Sequence, residues 1–392
     1  MTAKKLRVGV LFGGRSGEHE VSLLSAASVI QAIDRTKYDV VPIGITKQGL
    51  WLTGQQAEQL LKGEYVDAPR GKNSRGGNHA ALLAKGEDAV LAPPAPVAES
   101  IMPFETARSH NGPLPIAVDV IFPVLHGTFG EDGTMQGLLE LADIPYVGSG
   151  VLGSAAGMDK DVMKRLFCDS RLPLIKHLTV LRSDWEKNPK KIEKAVESAL
   201  RYPIFVKPAN LGSSVGISKV HDASELPGAI NEAARYDRKI VIEQGVGGKR
   251  HKAREIECAI LGNDEPIASI CGEIVPAKEF YDYNAKYHDA GSELLIPARL
   301  DHTQVRQVQD MAIRAFQSCE CSGLARVDFL MDPTTEHFYI NEVNTLPGFT
   351  AISMYPKLWA ASGIEYPDLI DRLIKLALER HADKKRNQYV KD

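Results

Sequence analysis

Residues 326–350 read RVDFLMDPTTEHFYINEVNTLPGFT. Two apolar runs, VDFLM and HFYINEV, carry Asp328 near the start of one and Glu342 and Asn344 at the end of the other. A buried carboxylate is costly unless it is ion-paired or bound to metal. Period two along a strand puts Glu342 and Asn344 on one side, and Arg326 and Asp328 also share a side. Two readings follow. One takes the acids as structural ion pairs with Arg326 as partner; the other takes them as hard oxygen donors for Mg²⁺, which takes few carboxylates and leaves the rest to water and phosphate. In the second reading Arg326 faces the same cleft and can hold a substrate oxyanion.

Working outward, 392 residues exceed one hydrophobic core and call for two or three domains. A formal net charge of −3 offers no broad electrostatic attraction to nucleic acid or to an anionic membrane. The start, MTAKKLRVGVLFGG, passes from a short basic stretch into a strand with no apolar signal core. No apolar run reaches the roughly 18 residues of a membrane span. Cys168, Cys258, Cys271, Cys319 and Cys321 form no C-x-x-C pair and read as reduced filler. The expectation is a cytoplasmic chain.

LRVGVLF (6–12), a glycine turn, VSLLSAASVIQAI and YDVVPIGIT make a strand–turn–helix–strand order, expected as a parallel α/β unit. The helix is expected to face inward through Val21, Leu24, Ser28, Val29, Ala32 and Ile33. Residues 54–115, rich in Gly, Pro, Ala and Asn, read as loops, and AVDVIFPVLHG returns as one buried strand. From about Gly150 the pattern changes. SAAGMDKDVMKRLFCDS reads as helix, YPIFVKPANLGSSVGISKV as two strands around a Gly/Ser turn, DASELPGAINEAARY as an amphipathic helix and KIVIEQGV as a strand, with a hinge at 245–248. Strands within 255–275 and a helix at 304–318 lead into the opening pair, and a helix runs into the charged C-terminal tail.

Two glycine-rich turns have chemical potential. Gly13-Gly14-Arg15-Ser16-Gly17 follows a strand and opens a helix, which suits an anion at a helix N-terminus. It is not G-x-G-x-x-G, and the second strand ends without an acid for a ribose, so a dinucleotide site is not expected. A plain tight turn fits the glycines equally; Glu18, an acid beside the turn, favours a substrate ammonium. In FVKPANLGSSVGIS a strand delivers Lys207, and Gly212, Ser213, Ser214 and Gly216 offer backbone N–H groups over a phosphate. An ordinary hairpin with an exposed lysine is the competing reading.

MDK, FVKPANLGSSVG, YNAKY, ARVDF and NEVNTLPGFT, in this order, resemble the ATP-grasp enzymes. With GGRSGEHEVS at the front, the chain is similar to the D-alanine–D-alanine ligase family from its first strand to about Arg380. The resemblance implies an α/β, three-domain ATP-grasp architecture: a Rossmann-like parallel N-terminal domain at 1–149, a central domain at 150–244 and a C-terminal domain at 245–392. It implies ATP-dependent joining of two D-alanine molecules through a D-alanyl phosphate, for peptidoglycan in the cell wall, by a homodimer. It implies that Lys160 and Lys207 contact ATP phosphates, with Ser213 and Ser214 in the turn over them, and that Asp328, Glu342 and Asn344 hold two Mg²⁺ ions, for which Mn²⁺ substitutes. Glu18 would take the ammonium of the first D-alanine, and Arg326 with the Gly348 N–H would take the oxyanion. Lys286, Ser353 and Met354 would lie near the second D-alanine, with Lys286 also reaching the transferred phosphate. Ser213 and Tyr287 would join Glu18 to close the FYDYNAKY loop and exclude water. In this family a tyrosine at the Tyr287 position goes with D-alanine as second substrate, and phenylalanine with D-lactate. Glu243 and Glu255 match the adenine and ribose positions, although KRHKA at 249–253 lengthens the link before Glu255, and NAKY departs from the usual acid. The alternatives are an ATP-grasp ligase making a depsipeptide or mixed dipeptide, and a nucleotide-binding regulator without catalysis; the full set of charged positions speaks against the regulator.

Overall fold

A computed structural model describes residues 4–66, 82–85, 88–91, 116–212, 214–247, 251–275 and 293–390. They gather into two compact units. One takes Met1–Gly148, Gly348–Ser353 and Glu365–Asp392, and the other takes Ser149–Pro347 and Met354–Ile364.

The first unit is built on β1 (Leu6–Gly13), flanked in parallel by β2 (Tyr38–Ile45) and, on its other side, by Val120–Val124. Val8, Val10, Leu11 and Phe12 are all buried, because a central parallel strand has both faces covered. The crossover is the helix His19–Ala32, as expected. Gly13 has φ +90, and a Cβ there would lie 2.1 Å from the Ile45 carbonyl oxygen, so the turn out of β1 requires glycine.

The face of this helix differs from the expectation. Leu24 is 64% exposed, and Ser22, Ser25 and Ala26 are buried beside Val21 and Val29. The Ser22 hydroxyl accepts the Gly13 N–H at 2.8 Å and donates to the Val124 carbonyl. Small, satisfied serines let the helix lie close on the sheet, which hydropathy alone ranks as the wrong side.

The described residues within 54–115 include regular elements where loops were expected. After β3 (Trp51–Thr53), which runs antiparallel to β2, comes the helix Gly54–Leu61. Then β4 (Leu82–Lys85) and β5 (Asp88–Leu91) join β6 (Ile116–Val118) in a small sheet. Strands of three or four residues are too short to show a period. AVDVIFPV is two strands rather than one, divided at Asp119 between β6 and β7 (Val120–Val124). Asp119 accepts the Arg7 backbone N–H at 2.8 Å and its guanidinium at 3.0 and 2.7 Å, and this carboxylate separates the two sheets.

In the second unit the expected MDK helix is two, Val151–Met158 and Lys160–Asp169. Asp159 breaks it by capping the second helix, accepting the N–H groups of Asp161 and Val162 at 3.1 Å. Next come β8 (His177–Leu181), β9 (Ile204–Pro208), β10 (Ser218–Val220) and β11 (Lys239–Gln244), an antiparallel sheet in the order β10-β9-β11-β8. The helices Pro189–Ala199 and Leu226–Ala234 share its core, through Val196 and Ile230 against Val206, Ile240 and Ile242.

A second antiparallel sheet comprises β12 (Arg254–Gly262), β13 (Ile267–Val275), β14 (Glu293–Leu295), β15 (Gly323–Met331) and β16 (Phe338–Asn344), in the order β14-β13-β12-β15-β16. The helix His302–Ser318, expected at 304–318, buries Val308, Ala312, Ala315 and Phe316 against it. The C-terminal part expected as one helix is two, Met354–Ala361 and Tyr366–Lys384. Of the cysteines, four are buried and Cys168 is exposed, so it is not core filler.

Beyond β7 the first unit holds a half-buried acid, Glu131. His126 Nδ1 lies 3.7 Å from Glu131 Oε1, and His126 Nε2 lies 3.3 Å from the Ser25 hydroxyl. Burial pushes the Glu131 carboxyl up from 4.5 to about 7; His126 offsets part of this, and the charge of Glu18 adds to it. The native state therefore keeps a proton that the unfolded chain has already released. Stability contributed by this group falls as pH rises from about 4.5 to about 7 and stays lower above that. Glu131→Gln is expected to flatten that slope and to make the chain more stable than wild type at pH 8, by up to ~3 kcal/mol. Urea melts at pH 5 and pH 8 measure this; a slope unchanged by the substitution would place the titration elsewhere.

Candidate active site

The pair β15–β16 carries the acids that opened the sequence reading. Ala325, Val327, Phe329 and Met331 point into the core, so Arg326 and Asp328 lie on the opposite face. Asp328 pairs with Glu342 and Arg326 with Asn344. The register then shifts, so that Phe329 pairs with Ile340 and Asn341 is the extra residue of a bulge. Ile340 and Val343 stay buried, while Asn341, Glu342 and Asn344 are all half-buried on the polar side.

Arg326 forks onto Asp328, Nε to Oδ1 and Nη2 to Oδ2, both at 2.7 Å. Its Nε is also 3.0 Å from Oε2 of Glu257, a buried acid paired with Asp328 across β12 and β15. Burial works against the charged guanidinium, and Asp328 and Glu257 outweigh it, holding the arginine well above its usual range. The Asn344 amide donates to Asp328 Oδ2 at 2.9 Å, which leaves its carbonyl oxygen as the outward acceptor. The ion-pair reading is thus realised between Arg326 and Asp328. The donor set fits a hard divalent cation as well, with two carboxylates and an amide oxygen on one face. Among the described residues no three His, Cys, Asp or Glu side chains form a cage, so phosphate and water oxygens would have to complete the shell.

Basic side chains approach the same face from β9 and from the helix Lys160–Asp169. Lys160, at the first helical position, donates to the Leu211 carbonyl at 2.8 Å and stands 3.7 Å from Glu342 Oε2. Burial lowers its pKa, only partly opposed by Glu342. Lys207 donates to Glu243 Oε2 at 2.6 Å and to Asn341 Oδ1 at 3.5 Å, which ties FVKP to NEVN. Burial would lower Lys207 too, but the charges of Glu243, Glu342 and Glu255 hold it up. Glu243 is itself buried, which alone would raise it; Lys164 and Lys207 outweigh that and keep it far below the usual carboxylate range. Glu255 lies on β12 within electrostatic reach of Lys207. Ser214 takes φ +59 and Gly216 φ +70, the left-handed conformation that turns the chain back from β9 to β10.

In the first unit Glu18 precedes the helix His19–Ala32, and its N–H meets the Ser16 hydroxyl at 3.3 Å. Its Oε2 lies against Gly127, where a Cβ would come within 2.9 Å. The same turn lines a cavity of about 220 Å³ with Trp51, Leu125, His126 and Met135. Gly348 and Ser353 sit together: a Cβ on Gly348 would be 3.2 Å from the Ser353 hydroxyl, which also meets the Thr350 N–H at 3.1 Å.

Lys160, Lys207, Glu243, Arg326, Asp328, Glu342 and Asn344 are therefore one neighbourhood within the second unit. Met354, also in that unit, is buried, with its sulfur 2.8 Å from where a Cβ on Gly272 would be. Ser213, Lys286, Tyr287 and all of the 280–287 loop, like residues 248–250, lie outside the described residues. Glu257, Lys164 and Asn341 were not singled out from sequence. An acid in the middle of EIECAIL was the available signal for Glu257; nothing linear marks the other two.

The N-terminal model of the D-ala D-ala ligase family matches residues 7–149, and the model of its C-terminus matches 166–375. D-alanine–D-alanine ligases of Heliobacterium modesticaldum and Bacillus cytotoxicus are 50% and 47% identical to the chain, over 98% of it and over 97% and 99% of their own lengths. The D-alanine-D-alanine ligase structure from Coxiella burnetii superposes with TM-score 0.77 at 34% identity, over 98% of this chain and 97% of that one. The VanG D-Ala:D-Ser ligase of Enterococcus faecalis superposes with TM-score 0.76 at 35% identity, over 95% and 100%. The chain belongs to the D-alanine–D-alanine ligase family and has its ATP-grasp architecture.

Proposed function

We propose that this chain ligates two D-alanine molecules to D-alanyl-D-alanine at the expense of ATP, as a step in building the cell wall. The observation that carries the reading, beyond family membership, is the meeting of Lys160 and Lys207 with the Asp328–Glu342–Asn344 face in one unit. Cations aimed at a cluster of hard oxygen donors are what a nucleoside triphosphate with its divalent ion needs.

A carboxylate is a poor electrophile until one of its oxygens becomes part of a leaving group. An oxygen of the first D-alanine carboxylate attacks the γ-phosphorus and ADP leaves, giving a D-alanyl phosphate. The neutral amine of the second D-alanine then adds to the carbonyl, and the tetrahedral intermediate collapses with loss of phosphate. Lys160, Lys207 and Lys286 hold the phosphates, with Ser213 and Ser214 over them. Mg²⁺, or Mn²⁺ in its place, bound at Asp328, Glu342 and Asn344, supplies charge neutralisation on the phosphate oxygens. Glu18 binds the first ammonium, and Gly348 and Arg326 take the oxyanion. Arg326 is oriented for this through Nε and Nη2 on Asp328, so Nη1 is the nitrogen we assign to substrate. Ser353 and Met354 flank the second D-alanine, Glu243 and Glu255 the adenosine, and Tyr287 with Ser213 and Glu18 the lid. The functional division we infer is 1–149, 150–244 and 245–392, in a homodimeric cytoplasmic enzyme. Among the described residues no helix is long and apolar enough to cross a membrane.

Phosphate release from MgATP tests the reading directly, with D-alanine alone, L-alanine alone, or D-alanine plus D-lactate or D-serine. Release with D-alanine alone, giving the dipeptide by mass spectrometry, is expected. A requirement for D-lactate would make it a depsipeptide ligase, and one for D-serine would align it with its VanG neighbour. Tight ATP binding without turnover would revive the regulator.

Glu342→Gln is expected to lower kcat on the order of 100-fold or more, with the melting temperature kept. Loss of the cooperative melt would instead make Glu342 a structural ion-pair residue. Tyr287→Phe is expected to move the D-alanine to D-lactate product ratio toward D-lactate; an unchanged ratio would remove Tyr287 from acceptor selection.

A further inference from the structure

Among the described residues of the second unit, the most deeply buried charge belongs to a residue that neither the sequence reading nor the proposed mechanism uses. Lys164 stands one helical turn after Lys160 and so on the same face. Its side chain is 1% exposed, and its Nζ is 2.7 Å from Glu243 Oε1. On the other oxygen, Oε2, sits Lys207 at 2.6 Å. One buried carboxylate thus lies between two ammonium groups, one for each oxygen. The two lysines differ in freedom: Lys207 is 12% exposed and also reaches Asn341, whereas Lys164 is enclosed. At that distance the charge of Lys164 bears directly on Glu243 and opposes the cost of burying it.

We propose that Lys164 is a positioning residue for the triphosphate: by keeping Glu243 paired, it lets Lys207 leave that carboxylate and move onto a phosphate. This rests on the reading of Lys207 as a phosphate ligand. Breaking a buried ion pair by taking away one partner leaves the other charge uncompensated. With Glu243 held by Lys207 alone, every phosphate that recruits Lys207 would strand a buried carboxylate. With Lys164 fixed on Oε1, Glu243 loses only the second of two partners. The charge count agrees: two lysines and one glutamate leave a net positive charge to offer an anion.

The test uses the full chain and two probes, MgATP and magnesium tripolyphosphate, the second lacking adenine and ribose. Lys164→Met is expected to weaken tripolyphosphate binding by about tenfold in calorimetry while the KM for D-alanine stays within about twofold. Lys164→Arg, which keeps the charge, is expected to restore most of the loss. Because Lys164→Met leaves a buried carboxylate with one partner, a second comparison stands beside it. Glu243→Gln and Glu243→Gln/Lys164→Met are expected to bind tripolyphosphate alike, because without the carboxylate Lys207 has nothing to hold it back. Equal binding by wild type and Lys164→Met would overturn the proposal. So would a double variant clearly weaker than Glu243→Gln alone, since Lys164 would then act on phosphate by itself. Wild-type chain that binds neither probe would overturn the ATP reading as well, and only that result would.

Discussion

A carboxylate on the polar face of a sheet, shielded from water, must keep company with positive charge, and the second unit is arranged around that requirement. Glu257, Arg326 and Asp328 form one compensated row across β12 and β15. Lys164, Glu243 and Lys207 form another beside β9 and β11. Lys160 by Glu342 and Lys207 by Asn341 bring the two rows together. Each charge is tolerable where it lies because a neighbour of opposite sign lies within about 4 Å. The same compensation makes the face responsive, since a polyanion and its cation can exchange partners with groups already paired.

The sheets exist to hold these rows still. The apolar sides of β15 and β16 are locked under the helix His302–Ser318, so their polar sides cannot turn inward. The bulge at Asn341 keeps Ile340 and Val343 in the core while presenting Asn341, Glu342 and Asn344 outward. A regular strand would have given only alternate residues to that face. In the first unit the backbone plays the comparable part: Gly13 and the Ser22 hydroxyl make the sharp exit from β1 that sets Glu18 beside the glycine turn.

Much of this was legible in the order of residues. Strand and helix positions came through in stretches such as LRVGVLF and the helix at 304–318. The errors fall where one side chain overrides the pattern. Asp119 divides an apolar run by capturing Arg7, Asp159 ends one helix by capping the next, and Ser22 and Ser25 displace Leu24 from the interior because their hydroxyls have partners. The Asp159 cap is local, but Arg7, Val124 and His126, the partners of Asp119, Ser22 and Ser25, are distant in sequence, so no local window contains those causes.

The sequence by itself determined the family and singled out the groups we propose for phosphate, metal and substrate, because those groups stand in ordered motifs whose spacing along the chain is their signature. It also made plain that the acids of 326–344 needed company. Which company was decided only by tertiary structure: Arg326 on Asp328 with Glu257 from another strand, and Glu243 shared between Lys164 and Lys207 from a helix and a second sheet. Charge pairing depends on distance in space, and a linear pattern carries periodicity but not the distance between residues tens of positions apart.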